Sequence, residues 1–183
     1  MFNRLFAFLI LIVLSPIFLF VAFAIFIEDG FPIFFNQKRI GINYSFFSIY
    51  KFRSMKKNTP NVAKHLLTNP DQYLLIIGNF IRKTSLDELP NLINIIKGEM
   101  VLVGPRPALY NQDDLMALRV AAGIDKIKPG ITGWAQINGR DEISIAQKVQ
   151  LEQEYLNKKS FLFDLEIIIK TFTNVFFSRG ISH

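Results

Sequence analysis

Asp87 and Glu88 are the adjacent pair whose types and setting point most directly to chemistry, within Ser85-Leu86-Asp87-Glu88-Leu89-Pro90-Asn91-Leu92. Ser85 and Glu88 match the S-x-x-E capping box, so one reading is purely structural. Pro90 discriminates between helix starts, because proline is tolerated only where its missing N–H has no intrahelical partner. With Ser85 as N-cap, Pro90 would be the fifth helical residue and a bond would be lost. With Asp87 as N-cap it is the third, and the predicted helix runs through ELPNLINIIK to a stop at Gly98. A helix N-terminus also favours anions, phosphate included. A carboxylate held there, beside Arg82 and Lys83, could attack phosphorus as aspartyl-phosphate enzymes do. The second carboxylate could hold Mg²⁺, which takes one or two protein carboxylates and completes its shell with phosphates.

Four cations are candidates for the matching anion sites. KFRSM places Lys51 and Arg53 two apart, on one face of a predicted strand with Phe47 and Ile49. They read either as a solvated strand edge or as phosphate ligands. Arg106 stands between Pro105 and Pro107, each of which fixes its own φ. A planar guanidinium on so stiff a loop suits phosphate, or else caps a helix carbonyl. Arg140 follows the turn-rich PGITGWAQING, which is either an ordinary hairpin or a source of backbone N–H groups for an anion.

The remainder of the chain must position these groups. Of 183 residues, 50% are hydrophobic and 19 are Phe, more than one small core uses, which points to a lipid surface as well. The net charge is +6, and between Lys38 and Lys83 nine basic residues face one acid, Asp71. That local field implies an anionic partner. The absence of Cys excludes disulfides and thiolate metal sites, and two His leave little for a His-based metal site or triad.

Leu5 to Ile27 carries no charge and would make a helix about 34 Å long, enough for a bilayer core. Ser15-Pro16 lies almost at its centre, where proline predicts a kink. A simple span, a cleaved signal peptide ending near Ala24, and a bent helix that enters and leaves by one face all fit. Twenty of the 21 Lys and Arg follow this stretch, which places the main body in the cytoplasm. Beyond it, residues 31–55 predict a hairpin turning at Gly41-Ile42-Asn43, 56–72 a polar loop or short surface helix, 72–83 a helix, 98–109 a strand running into a loop, and 142–158 a surface helix. The apolar stripe Leu165, Ile168, Ile169, Phe172, Val175 and Phe176 is either core packing or an interfacial face.

KFRSM, SLDELPNL, GEMVLVGPRP and PGITGWAQINGR occur in that order. Together they resemble the bacterial sugar transferases, the small monotopic phosphoglycosyl transferases, and the resemblance spans essentially the whole chain. It implies an α+β fold with a re-entrant membrane helix over 1–27 bent at Ser15 and Pro16, and a cytoplasmic catalytic domain over 28–183. Small β-hairpin elements and amphipathic interfacial helices would complete that domain. It further implies an enzyme of the bacterial inner membrane, facing the cytoplasm, that moves a sugar 1-phosphate from a UDP-sugar to undecaprenyl phosphate and releases UMP. An N-acetylated aminosugar is the expected donor, with UDP-glucose or UDP-galactose as alternatives. Asp87 would be the nucleophile, Glu88 the Mg²⁺ ligand, and Lys51, Arg53, Arg106 and Arg140 substrate ligands. The chain resembles the short members that lack further spans, and departs from many relatives in the basic KKNTPNVAK after KFRSM. Nucleic acid is not an expected partner, and a homodimer is left open. The competing class is a membrane-anchored module that binds anions without catalysis.

Overall fold

The computed structural model describes residues 2–60, 69–139 and 143–176. Two helices, α1 (Phe2–Val13) and α2 (Ser15–Asp29), meet at an angle of 64°. Pro16 has no N–H for the Ile12 carbonyl, and the Ser15 hydroxyl donates to that carbonyl instead, at 2.7 Å. The bend therefore has a local chemical cause, and the orphaned acceptor is satisfied. No single described helix is long and apolar enough to cross a membrane, although the bent pair passes that test together.

The expected hairpin follows: β1 (Phe34–Ile40), a 3₁₀ turn over Ile42–Tyr44, and β2 (Phe46–Phe52). The strands pair antiparallel from Phe34 opposite Phe52 to Ile40 opposite Phe46. Asn43 and Tyr44 take positive φ to close the turn. Helix α3 (Ile76–Lys83) then leads through a second 3₁₀ turn, Leu86–Glu88, into α4 (Asn91–Lys97). Strand β3 (Val101–Val103) precedes β4 (Ala108–Leu109), which pairs with β1, so the first sheet has the order β2-β1-β4. After α5 (Asp113–Ala121), β5 (Gly130–Thr132) pairs in parallel with β3. The chain ends in α6 (Trp134–Ile137), α7 (Ile145–Lys158) and α8 (Phe161–Phe176). Helix and strand are thus mixed, as α+β predicts.

The bent pair is packed into the body on one side. Ala7 of α1 joins Ile49, Leu92, Ile95 and Met100, while Val21 and Ile25 of α2 join Phe52, Leu75 and Ile81. Each such large side chain contributes about 1.5–3 kcal/mol by leaving water. The other side of the pair is bare: Leu5, Phe8, Leu9, Ile12, Leu19, Phe20 and Phe23 are all exposed. Helix α8 is divided the same way. Ile167 is buried with Val103 and Tyr155, whereas Leu165, Ile169 and Phe172 are exposed alongside Phe161 and Leu162. Of the four members of the predicted stripe whose side chains are described, Leu165, Ile169 and Phe172 thus face outward, while Ile168 packs against the buried cluster, so the stripe serves both readings. The side chains of Val175 and Phe176 lie outside the described residues.

Candidate active site

The dyad is held by a turn of a different kind from the one predicted. Ser85 adopts a left-handed conformation, φ 56°, and reverses the chain after α3. Leu86–Glu88 then bond in 3₁₀ fashion, with Glu88 N–H donating to Ser85 O and Leu89 N–H to Leu86 O. Neither the Ser85 hydroxyl nor an Asp87 carboxylate caps a helix. The α-helix begins at Asn91 with Pro90 at the N-cap, three residues after the predicted start. The proline does occupy a position that needs no N–H, and Gly98, φ 83°, ends the helix as expected.

Asn94 sets α4 against β2. It is fully buried; its Nδ2 donates to Ser48 O at 2.7 Å, and its Oδ1 accepts from Tyr50 N–H at 3.2 Å. One amide thus pairs with the strand backbone on both sides of Ile49, fixing Lys51 opposite the 3₁₀ turn. Lys51 Nζ then lies 2.6 Å from Glu88 Oε1, and Arg106 Nη2 lies 3.2 Å from the same oxygen. The Lys51 and Glu88 side chains are 17% and 20% exposed and Arg106 is 39% exposed, so the cluster is open to solvent at its edge.

Arg106 rides on a loop gripped from three sides. Its own carbonyl accepts from Arg119, the Pro105 carbonyl from Gly130 N–H, and the Pro107 carbonyl from Arg39, each at 2.9 Å. The glycines of GPRP and PGITG permit this close backbone approach. A Cβ on Gly130 would fall 2.1 Å from Gly104 N, and one on Gly133 would fall 2.1 Å from Gly104 O. The Gly104 and Gly130 N–H groups are taken by Thr132 O and Pro105 O, so these donors are committed to packing rather than offered to an anion. The predicted ordinary hairpin is also replaced, by the parallel β3–β5 pair.

Electrostatics divide the two carboxylates. Burial pushes Asp87 up to about 6, the Glu88 charge adds to that, and Lys51, Arg82 and Arg106 hold it back. Burial works against Glu88 as well, but Arg106 and Lys51 outweigh it, through charge and direct hydrogen bonds, and hold Glu88 well below the usual carboxylate range. Near neutral pH Asp87 is therefore ionised by about ten to one, yet poorly solvated and without a hydrogen-bonded cation of its own among the described residues.

Lys51, Glu88 and Arg106 line one cleft of about 250 Å³ with Arg39, Asn91 and an apolar floor of Ile49, Met100 and Ile131. Asn91 is 3% exposed and its Oδ1 has no hydrogen-bond partner among the described residues, so the wall carries an acceptor they leave unsatisfied. Among the described residues no three His, Cys, Asp or Glu converge on one point. Two adjacent carboxylates without a third fit Mg²⁺, whose remaining ligands would be phosphate and water, better than a metal that needs an all-protein cage.

The structure does not bring Arg53 to this cleft. β2 ends at Phe52, and Arg53 turns to the end of α2, where it pairs with the Asp29 carboxylate and donates to Gly30 O at 2.7 Å and Pro32 O at 2.6 Å. It fastens the end of α2 to the strand. Arg140 lies outside the described residues. Arg82, Arg39, Arg119 and Asn91 contribute at or beside the site beyond the predicted set. Arg82 carried a signal, being basic and close to the dyad in sequence; the others carried none that a single sequence shows.

Comparison with known proteins identifies the family. Residues 1–178 match the family model described as bacterial sugar transferase. An exopolysaccharide production protein, ExoY, of Sinorhizobium fredii is 40% identical, with 98% of this chain and 85% of that protein covered. The UDP-glucose:undecaprenyl-phosphate glucose-1-phosphate transferase of Escherichia coli is 37% identical over 94% of this chain and 39% of its own length. The undecaprenyl-phosphate galactose phosphotransferase of Salmonella typhimurium is 35% identical over 89% of this chain and 37% of its own. The chain belongs to the bacterial sugar transferase family, and is an enzyme of the phosphoglycosyl transferase type.

Proposed function

We propose that this enzyme transfers a sugar 1-phosphate from a UDP-sugar to undecaprenyl phosphate, in two displacements at phosphorus. The observation that carries the reading is the division of the dyad: one carboxylate locked to two cations, its neighbour ionised but poorly solvated beside them. An Asp87 oxygen forms a bond to the sugar-bearing phosphorus as the bond to the bridging oxygen breaks, and UMP leaves. An oxygen of the lipid phosphate then attacks the same phosphorus, the bond to Asp87 breaks, and the sugar–diphospholipid results. Lys51 and Arg106 turn from Glu88 toward the phosphates, and the Asn91 acceptor takes a donor from the bound molecule. Glu88 would hold Mg²⁺, which when bound offsets pyrophosphate charge and eases departure of UMP.

A lipid acceptor requires the site at a membrane. The bare faces of α1, α2 and α8 support a body seated in one leaflet, with the Ser15-Pro16 bend returning the chain to the cytoplasmic side. Accessibility labelling at residue 3 tests this; periplasmic exposure would sink the re-entrant reading. For the donor, the relatives that name a sugar name glucose or galactose, so these stand beside the N-acetylated aminosugar. UMP release from a panel of UDP-sugars, with undecaprenyl phosphate and Mg²⁺, decides both questions. Release should occur with at least one donor and vanish in Asp87→Asn; unchanged release in that variant refutes the proposal.

A further inference from the structure

Arg119 of α5 and Glu152 of α7 form a sealed ion pair, 5% and 2% exposed, at the back of the loop that carries Arg106. The fork is bidentate, with Arg119 Nε donating to Glu152 Oε2 at 2.8 Å and Nη2 to Oε1 at 2.5 Å. The same Nη2 also donates to the Arg106 carbonyl at 2.9 Å. Were its task only to join α5 to α7, an apolar pair of similar volume would serve at least as well, since buried charges rarely repay their desolvation. What an apolar pair lacks is a donor for the Arg106 carbonyl. That carbonyl lies between two prolines, so its neighbours on either side contribute no N–H.

We propose that Arg119, oriented by Glu152, is a positioning residue for the transfer reaction: it fixes the Arg106 backbone so that the guanidinium stays on the Glu88 and phosphate side of the cleft. Arg119 touches neither Glu88 nor the cleft itself. Its effect on rate must pass through Arg106, because a small misplacement of a charge-bearing group lowers rate steeply. The inference rests on the reading of Arg106 as a phosphate ligand.

The test is a cycle of variants in detergent-solubilised full-length protein, read by thermal unfolding and by kcat for UMP release. Arg119→Met with Glu152→Leu removes both charges and leaves neither buried alone. This double variant should unfold within a few degrees of wild type and lose kcat by roughly tenfold or more. Arg106→Ala should lose activity too, and adding the double change to it should cost nothing further, since the positioned residue is gone. Arg119→Lys is the second probe should the double variant fold poorly. It keeps the charge opposite Glu152 but not the fork, and should show the same dependence on Arg106. A double variant as active as wild type beside an impaired Arg106→Ala overturns the positioning role and leaves the phosphate reading intact. A loss that multiplies with that of Arg106→Ala, in either background, also overturns it. An Arg106→Ala enzyme of full activity overturns both.

Discussion

Two carboxylate–guanidinium clusters lie on opposite faces of one short loop, and they are built for opposite ends. Behind the loop, Arg119 and Glu152 are buried, bidentate and matched one to one. In front, Glu88 takes both Lys51 and Arg106 on a single oxygen, its side chain keeps 20% exposure, and an acid forced up to about 6 stands next to it. The first cluster has its needs met within the protein. The second holds two cations on one carboxylate oxygen, an ionised Asp87 without a hydrogen-bonded cation among the described residues, and an Asn91 acceptor unsatisfied among them. Phosphate oxygens suit the two cations and a hydroxyl donor of the same molecule suits the Asn91 acceptor, so the difference separates scaffold from site without reference to any relative.

That contrast can be broken at several points. The largest expected effect is on stability at the rear cluster: Arg119→Met alone leaves Glu152 buried and unpaired, and should cost about 3–5 kcal/mol. At a chain of this size that is a fall in Tm on the order of 10 °C, read by thermal unfolding. The corresponding loss in front, Lys51→Met, should shift stability by no more than about 1 kcal/mol, because that pair is partly solvated. If both variants unfold alike, the distinction between the clusters fails. Next in size, Glu88→Gln should lower kcat by about 100-fold or more while the protein stays folded, since both front cations lose their anchor and the carboxylate proposed to hold Mg²⁺ loses its charge.

A smaller effect has the opposite sign. The folded-state value of Asp87 lies above its ordinary 3.8, so the native protein binds more protons than the unfolded chain between about 4 and 6. Ionised Asp87 therefore destabilises the fold at neutral pH. Asp87→Asn should raise stability there by about 1–3 kcal/mol, in buffer without Mg²⁺, and the gain should fade as pH falls from about 6 to about 4. An enzyme that becomes more stable as it loses activity would show the site is held under strain. Smallest is the acid limb of kcat/KM, which should fall about tenfold per pH unit below roughly 6 as Asp87 protonates. A limb near 4 would show Asp87 to be as well solvated as an ordinary carboxylate.

How far the sequence revealed this arrangement depends on the range of each interaction. Lys51, Glu88 and Arg106 stand in compact motifs, and the structure brings them to one oxygen. The hairpin around residues 41–43, the Gly98 stop and the bend at Pro16 were equally legible, because each follows from local backbone chemistry. Arg53 was misplaced because alternation was carried one residue past the end of β2, where the open carbonyls at the end of α2 claim the side chain. The dyad's turn was misplaced because Ser85 accepts a left-handed conformation, which no propensity favours. The Arg119–Glu152 pair left no local trace, since 33 residues separate its members and only tertiary packing brings them together. For α8, periodicity marked a stripe but could not say which face meets protein.

The central claim is that Asp87 itself becomes bonded to the sugar phosphate. Intact-protein mass measurement after incubation with a UDP-sugar that supports UMP release, with Mg²⁺ and without lipid, tests it directly. Wild type should gain the mass of one sugar phosphate, lose it again on addition of undecaprenyl phosphate, and show no such gain in Asp87→Asn. UMP release that proceeds only with lipid present and without any adduct, or an adduct that persists in Asp87→Asn, would contradict the account.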